Sequence, residues 1–402
     1  MKIVIATFTY APNIDGVAEA ARMMVENFRN AGHEVRVATG LVESMTDRPT
    51  CEESYIRRFA ITGSPAVGFG FHGEIEAYRE FLYGFNPDVI VFHGWDTWPT
   101  EVTLPILPEL PCKSVILSHG YSARIIPNLK RFPWGILRYL RWLPYVFDLP
   151  HQLRTFDRVV FLSYKTDFGR FYDGWVAEFI DCKNIRVIPN SVTAELKSNS
   201  SNFREKMGLG EGILFLCVAN YSPRKNQEMA LKAFCRANIP GSLLVFIGSS
   251  LGDYGRRVQE IWYSQQASHP DLNVYFMEDL TRMEVVSAFR SCDTLVLSAT
   301  AETQPIVIIE AMACGKPFIS TDTGCVSELG GGVVVKTVSE MAKQMRRLAQ
   351  DPAGRETLGR QARKFFEHHH SPEVINQAWL DLLEDVTGLP GCPDRQPVIE
   401  RI

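Results

Sequence analysis

The sequence predicts an α/β protein made of two Rossmann-like halves, and three observations predict it. Short, continuous apolar runs of strand length recur along the chain, such as Ile3 to Phe8 and Val89 to Phe92, the pattern of strands buried on both faces of a parallel sheet. Between such runs lie segments whose apolar residues fall at helical spacing, as Val17, Ala21, Met24 and Phe28 do. Finally, 402 residues are too many for one ordinary core and fit two domains of comparable size.

In chain order, strand Ile3–Phe8 leads into loop Thr9–Gly16, a helix that stops at Gly32, and strand Glu34–Thr39. This strand, glycine-containing loop, helix, strand order is a Rossmann-like opening. Residues 46–84 read as irregular, then mixed, with Gly63, Gly68, Gly70 and Gly73 close together: a surface excursion framing an acceptor site. Two buried strands follow, Val89–Phe92 and Ser114–Ser118, each running into His-Gly, as His93-Gly94 and His119-Gly120. Between Tyr121 and His151 the cations Arg124, Lys130, Arg131, Arg138 and Arg141 interleave with Phe132, Trp134, Leu137, Leu140 and Trp142. Two readings stand side by side: residues 124–142 lie on an anionic lipid surface, or they form an ordinary amphipathic helix packed on the first half. Strands Asp157–Leu162 and Ile185–Ile188 close this half, 1–191, and the polar, aperiodic stretch 192–204 is the linker.

The second half, 205–370, repeats the rhythm. Strands Ile213–Ala219, Ser242–Ile247, Asn273–Phe276, Thr294–Ser298, Phe318–Thr321 and Gly330–Val335 alternate with helices Gln227–Ala237, Tyr254–Ala267, Thr281–Ser291, Pro305–Cys314 and Ser339–Ala349. Pro305 suits a first helical turn, where its missing N–H costs nothing, and Gly315 stops that helix. A last amphipathic helix spans 371–386, and 387–402 is a Pro- and Gly-rich tail.

Chemistry concentrates between Leu295 and Leu329. Ligands of parallel sheets gather outside the carboxyl ends of the strands, and here a strand runs through the loop Ala299–Gln304 into a helix. The amides of Ile306, Val307 and Ile308 at that helix N-terminus suit a phosphate. Glu302 in the loop and Glu310 in the helix would repel a diphosphate unless they meet uncharged hydroxyls, as a sugar and a ribose provide. A nucleotide-sugar satisfies both requirements.

Glu302-x7-Glu310 followed by Ala311-Met312-Ala313-Cys314-Gly315-Lys316-Pro317 resembles the donor-site signature of the retaining glycosyltransferases of family 4 (glycosyl transferases group 1). Gly32-His33-Glu34-Val35, His119-Gly120 and Ile188-Pro189-Asn190 fit the same family. The resemblance implies the GT-B fold, two Rossmann-like domains with a cleft between them, the last helix crossing back to brace the first domain. It also implies a nucleotide-sugar donor, UDP- or GDP-linked, and a glycan or lipid-linked acceptor in surface polysaccharide synthesis. By it, Glu302 meets the transferred sugar, Glu310 the ribose and His119 the sugar's C6 hydroxyl, while Lys225, helped by Arg224, neutralises the diphosphate. Gly16, Asn220, Met277, Leu280, Thr303, Gln304, Pro305, Ile306 and Val307 complete the donor-binding set, Met277–Leu280 beside the base. Glu302 then lies at the sugar hydroxyls and is not a nucleophile; a front-face reaction in which the leaving phosphate takes the acceptor's proton is the expectation.

Four positions depart from the family's pattern: Asp15 and Cys325 stand for glycines of two motifs, Ser191 for the glycine of Ile-Pro-Asn-Gly, and Asn220 for an arginine. A catalytically idle GT-B scaffold is the alternative they raise. No Asp-x-Asp occurs, so no metal and no cofactor is expected, and His368, His369 and His370 are consecutive and lack the spacing of a metal site. A net charge of −4 gives no general attraction to nucleic acid. Nine cysteines without a Cys-x-x-Cys pair read as reduced thiols. No signal peptide and no apolar run long enough to span a membrane is legible. The expected location is the cytoplasm, or the inner face of the membrane if 124–142 binds it. Oligomeric state is not legible.

Overall fold

A computed structural model describes residues 1–13, 15–41, 54–121, 134–192, 196 and 202–388. The chain divides into two units: Met1–Pro189 together with the chain from Asn376, and Asn190–Ile375.

The first unit carries β1 (Lys2–Thr7), α1 (Gly16–Asn30), β2 (Glu34–Gly40), β3 (Ile56–Phe59), β4 (Ile61–Ser64), β5 (Gly70–Gly73), α2 (Ile75–Phe85), β6 (Val89–His93), α3 (Trp98–Thr103), β7 (Lys113–Leu117), α4 (Trp134–Thr155), β8 (Arg158–Phe161), α5 (Tyr172–Phe179) and β9 (Ile185–Val187). Among the described residues its main sheet has seven parallel strands in the order β3-β2-β1-β6-β7-β8-β9, and β4 and β5 pair separately as an antiparallel ribbon. Ile3, Val4, Ile5 and Ala6 of β1 are fully buried, as a central strand covered on both faces must be.

The second unit carries α6 (Phe203–Lys206), β10 (Leu214–Val218), α7 (Gln227–Ala237), β11 (Leu243–Gly248), α8 (Gly252–Gln265), β12 (Asn273–Glu278), α9 (Arg282–Ser291), β13 (Thr294–Leu297), α10 (Ile306–Ala313), β14 (Phe318–Thr321), β15 (Gly332–Val335), α11 (Val338–Gln350) and α12 (Pro352–His369). Its six parallel strands run in the order β12-β11-β10-β13-β14-β15. Alternation along β10 divides the core cleanly. Leu214 and Leu216 face α9 and α10, and Phe215 and Cys217 face α7 and α11. The last helix, α13 (Pro372–Thr387), passes from the second unit into the first at Asn376. Within the first unit its Trp379 meets Phe28 edge to face at 6.4 Å, and Asp385 pairs with Arg158 at 2.8 Å.

Several expectations are corrected. Residues 54–84 are mixed in structure but are not a surface excursion: β3 extends the main sheet, the β4–β5 ribbon follows, and α2 is a regular helix. Ile56-Arg57-Arg58-Phe59 is too short and too charged to declare itself, but at a sheet edge only Phe59 must be buried, against Tyr78 at 5.2 Å and Trp98 at 6.0 Å. Helices α3 and α5 were also not foreseen; α5 begins on Phe171 with no side-chain cap. Pro305 is not in the first turn of α10. It is the N-cap, with ψ 108°. In α4 the face bearing Trp142, Tyr145, Val146, Leu149 and Leu153 is buried in the core, whereas Leu137, Leu140 and Phe147 are exposed. The cations Arg124, Lys130 and Arg131 of the 124–142 proposal lie outside the described residues, as do 193–195 and 197–201 of the expected linker, 46–53 and most of the tail.

The ends of β6 and β7 share one buried anchor. Asp173, at the start of α5, is 1% exposed and accepts from Trp95 Nε1 at 2.9 Å, from the Ser118 hydroxyl, and from the Gly174 amide at 3.0 Å. Burial pushes its carboxyl above the usual range, and the bonds from Ser118 and Trp95 pull it back. All three partners donate, so an acceptor-only carboxylate satisfies them. Asp173→Asn turns an amide N–H₂ towards donors, and we expect it to cost about 2–4 kcal/mol in chemical denaturation; a loss below about 0.5 kcal/mol would show the anchor to be dispensable.

Candidate functional site

In the second unit, the expected donor residues collect at the carboxyl ends of β10, β12 and β13. The loops after β10 and β13 are stitched together through backbone. Thr300 donates its N–H to Arg224 O at 2.8 Å and its hydroxyl to the same oxygen at 3.1 Å, and the Ser298 hydroxyl donates to Asn226 O at 2.8 Å. Asn226, at φ 52°, turns the first of these loops into α7. Stitching sets Lys225 opposite Glu302, and Lys225 Nζ bonds to Glu302 Oε1. With these side chains only 19% and 12% exposed, each charge depends on the other for compensation.

The Glu302 loop rests on Gly324. That residue has φ +51°, and a Cβ there would stand 2.1 Å from Thr303 O and 2.7 Å from Glu302 O, so only glycine fits. The adjacent departure is thereby explained. Cys325 has an ordinary φ of −89°, is fully buried, and donates its amide to Thr303 O at 2.9 Å. Glu310, in α10, is 4% exposed and pairs with Arg282 at the start of α9.

The other expected donor residues have varied surroundings. Asn220 Oδ1 accepts from the Ser249 hydroxyl at 2.9 Å and the Ser249 amide at 3.3 Å, tying the β10 loop to that after β11. Positive charge beside Glu302 comes from Lys225, and Arg224, next to it in the chain, is exposed. Met277 is the penultimate residue of β12 and takes the Tyr221 hydroxyl on its carbonyl at 3.2 Å. Met277 and Leu280 are half-buried. Gln304 is 8% exposed, and its Oε1 accepts the Asn190 amide at 2.5 Å. Asn190 O in turn accepts from His370 Nδ1 at 2.8 Å, and the Ser191 hydroxyl donates to His370 O at 2.7 Å. Ser191 thus has a bonding role that the family's glycine could not fill. At the mouth of α10, Ile306 and Val307 are half-buried, whereas the Ile308 amide turns back to Pro305 O at 3.1 Å, so it is not available as expected.

Gly16 and His119 belong to the first unit. Gly16 opens α1, but Asp15 caps that helix: its Oδ1 accepts the Val17 and Ala18 amides, both at 2.9 Å, and its Oδ2 the Thr9 hydroxyl at 2.7 Å. An anion at this N-terminus would meet a carboxylate already using the donors it needs. His119 Nε2 lies 3.0 Å from Nδ1 of the fully buried His93. His93 Nε2 has no partner among the described residues. A buried N–H without an acceptor is the rarer defect, which assigns the shared proton to His93 Nδ1 and leaves His119 protonated at Nδ1. Burial pushes His93 well below the ordinary histidine range and His119 down to about 4, the Asp15 carboxylate opposing the latter. Both are therefore neutral at pH 7. Among the described residues no group of three His, Cys, Asp or Glu is placed to hold a metal ion. His368 Nδ1 faces Lys364 O, His369 lies 4.4 Å from the Phe365 ring, and His370 is buried. No helix of the described residues is long and apolar enough to cross a membrane.

Arg282, Asp173 and the capping role of Asp15 were missed in the sequence. Only Arg282 left a signal, since it follows Thr281 of a Thr-x-x-Glu capping box.

Residues 199–365 match the family Glycosyl transferases group 1. No curated protein sequence matches the chain. Among solved structures the chain resembles sucrose-phosphate synthase from Thermosynechococcus elongatus, at 18% identity and TM-score 0.75, over 96% of this chain and 99% of that one. It also resembles HepE from Anabaena in complex with UDP, at 18% identity and TM-score 0.70, over 96% and 100%. A third is WaaG, a glycosyltransferase involved in lipopolysaccharide biosynthesis, at 17% identity and TM-score 0.66, over 96% and 100%. The second unit carries a glycosyl transferases group 1 domain, and the fold is GT-B.

The buried His370 generates a pH dependence. Desolvation lowers its pKa from 6.5 to about 4, so the unfolded chain takes up its proton first as pH falls. Its contribution is fully present above about pH 6.5 and is lost between there and about 4, on the order of 3 kcal/mol. Thermal midpoints measured from pH 7 to 4.5 should fall less steeply in His370→Gln; parallel curves would remove the assignment.

Proposed function

We propose that this chain is a glycosyltransferase that moves a sugar from a nucleotide-sugar, UDP- or GDP-linked, to a glycan or lipid-linked acceptor with retention of configuration, as in family 4. The observation that carries this reading is the pairing of Lys225 with Glu302 at adjoining strand ends, within a glycosyl transferases group 1 domain. One of the chain's structural relatives, HepE, is described in complex with UDP and with UDP-glucose, which supports a nucleotide-sugar over a simple sugar phosphate.

In this reading the diphosphate takes Lys225, with Arg224 beside it, and Glu302 is freed to accept from the sugar hydroxyls. Glu310 accepts from the ribose, and the amides of Ile306 and Val307 face a phosphate. His119, protonated at Nδ1, donates to a sugar hydroxyl oxygen. The bond from the anomeric carbon to the phosphate oxygen breaks, and the acceptor oxygen forms its bond on the same face. The acceptor's proton passes to the departing phosphate, whose growing negative charge Lys225 stabilises. No metal and no cofactor enters this scheme. The exposed Leu137 and Leu140 of α4 are where a lipid surface would be met.

The test is turnover of UDP- and GDP-sugars with and without a chelator, the product's anomeric configuration being read by NMR. Lys225→Ala is expected to lower kcat by about 10²–10³ while the variant stays folded. An inverted product or a trapped glycosyl-enzyme would rule out the front-face route, and absence of any nucleotide-dependent shift in the unfolding midpoint would move the protein to the idle-scaffold class.

A further inference from the structure

Glu310 lies in the second turn of α10 with a side chain only 6% exposed. At that depth a carboxylate is either compensated or takes up a proton. Compensation comes from another loop: Arg282 Nη2 meets Glu310 Oε1. Arg282 is the first residue of α9, one residue past the Met277–Leu280 stretch in which β12 ends at Glu278, and its seat is firm. Thr281 accepts the Glu284 amide at 3.3 Å, Glu284 accepts the Thr281 amide at 2.7 Å, and Lys206 holds Glu284 at 2.6 Å. The Arg282 side chain is 34% exposed, so it reaches from the surface of the strand-end region down to a buried acid. This mirrors Lys225 and Glu302, where a cation from one strand end also serves a carboxylate following β13.

We propose that Arg282 is a positioning residue for the donor nucleotide: through Oε1 it keeps Glu310 ionised and turned to accept from the ribose hydroxyls of a nucleoside diphosphate. An ionised carboxylate is acceptor-only and takes a hydroxyl in a charge-assisted bond, whereas a protonated one must itself donate. Arg282 also offsets the Glu310 charge against the diphosphate of the same ligand. The inference rests on the reading of Glu310 as the ribose ligand.

Its signature is a dependence on the ribose hydroxyls. ADP, GDP and UDP are titrated calorimetrically into the wild type, Arg282→Ala and Arg282→Lys, together with the 2′,3′-dideoxy form of whichever binds. Removing the hydroxyls should weaken wild-type binding by about tenfold or more. Arg282→Ala should weaken the ribose form by a similar factor and the dideoxy form little, with Arg282→Lys between the two. An equal loss on both forms, or none, overturns the proposal, because a merely structural or phosphate-contacting arginine does not distinguish them. Thermal midpoints are read alongside; if Arg282→Ala is too unstable to titrate, Arg282→Lys carries the comparison. If the wild type binds none of the three nucleotides, the donor reading fails and takes this inference with it. If it binds one without the ribose dependence, only the role of Arg282 falls.

Discussion

Parallel strands impose one constraint from which the rest follows: each must be re-entered by a crossover, so all carboxyl ends of a sheet lie along one edge and the loops there are neighbours whatever their distance in sequence. Lys225 and Glu302 are 77 residues apart in the chain, yet β10 and β13 are adjacent in the sheet order, and their loops share backbone hydrogen bonds. Had β13 been inserted elsewhere in the order, neither carboxylate would have its cation.

Burial then sets how these groups behave. A lysine and a glutamate on open surface are worth little as a pair, but with both side chains mostly buried, losing either leaves an uncompensated charge. The same depth keeps His93, His119 and His370 neutral, so these three act as hydrogen-bond partners and not as cations. The first unit uses an acid for architecture as well. Asp173 takes donors from beside both histidine-bearing strand ends, Trp95 after β6 and Ser118 after β7.

The departures from the family's pattern separate by backbone geometry. Gly324 is under a steric demand that only glycine meets, and it is glycine; Cys325 is under none, and its side chain joins the core. Asp15 adopts extended backbone, φ −143°, open to any residue, and uses its carboxylate to cap α1. Asn220 gives its oxygen to Ser249. Each departure is compatible with the fold, and two of them, Asp15 and Asn220, make internal hydrogen bonds.

The sequence by itself determined the fold class and the alternation of strands and helices in the second half, because apolar periodicity is a local property that survives without a third dimension; Glu302, Glu310, Lys225 and His119 were singled out by their place in motifs that resemble a family's. It did not reveal β3, whose only commitment is one phenylalanine at a sheet edge, or α5, which starts without a cap. Arg282 at Glu310, the proton shared by His93 and His119, the anchor at Asp173 and the reach of His370 to Asn190 were decided by tertiary structure alone. Each joins groups from separate elements, and strand order and burial, not residue spacing, set which charge meets which donor.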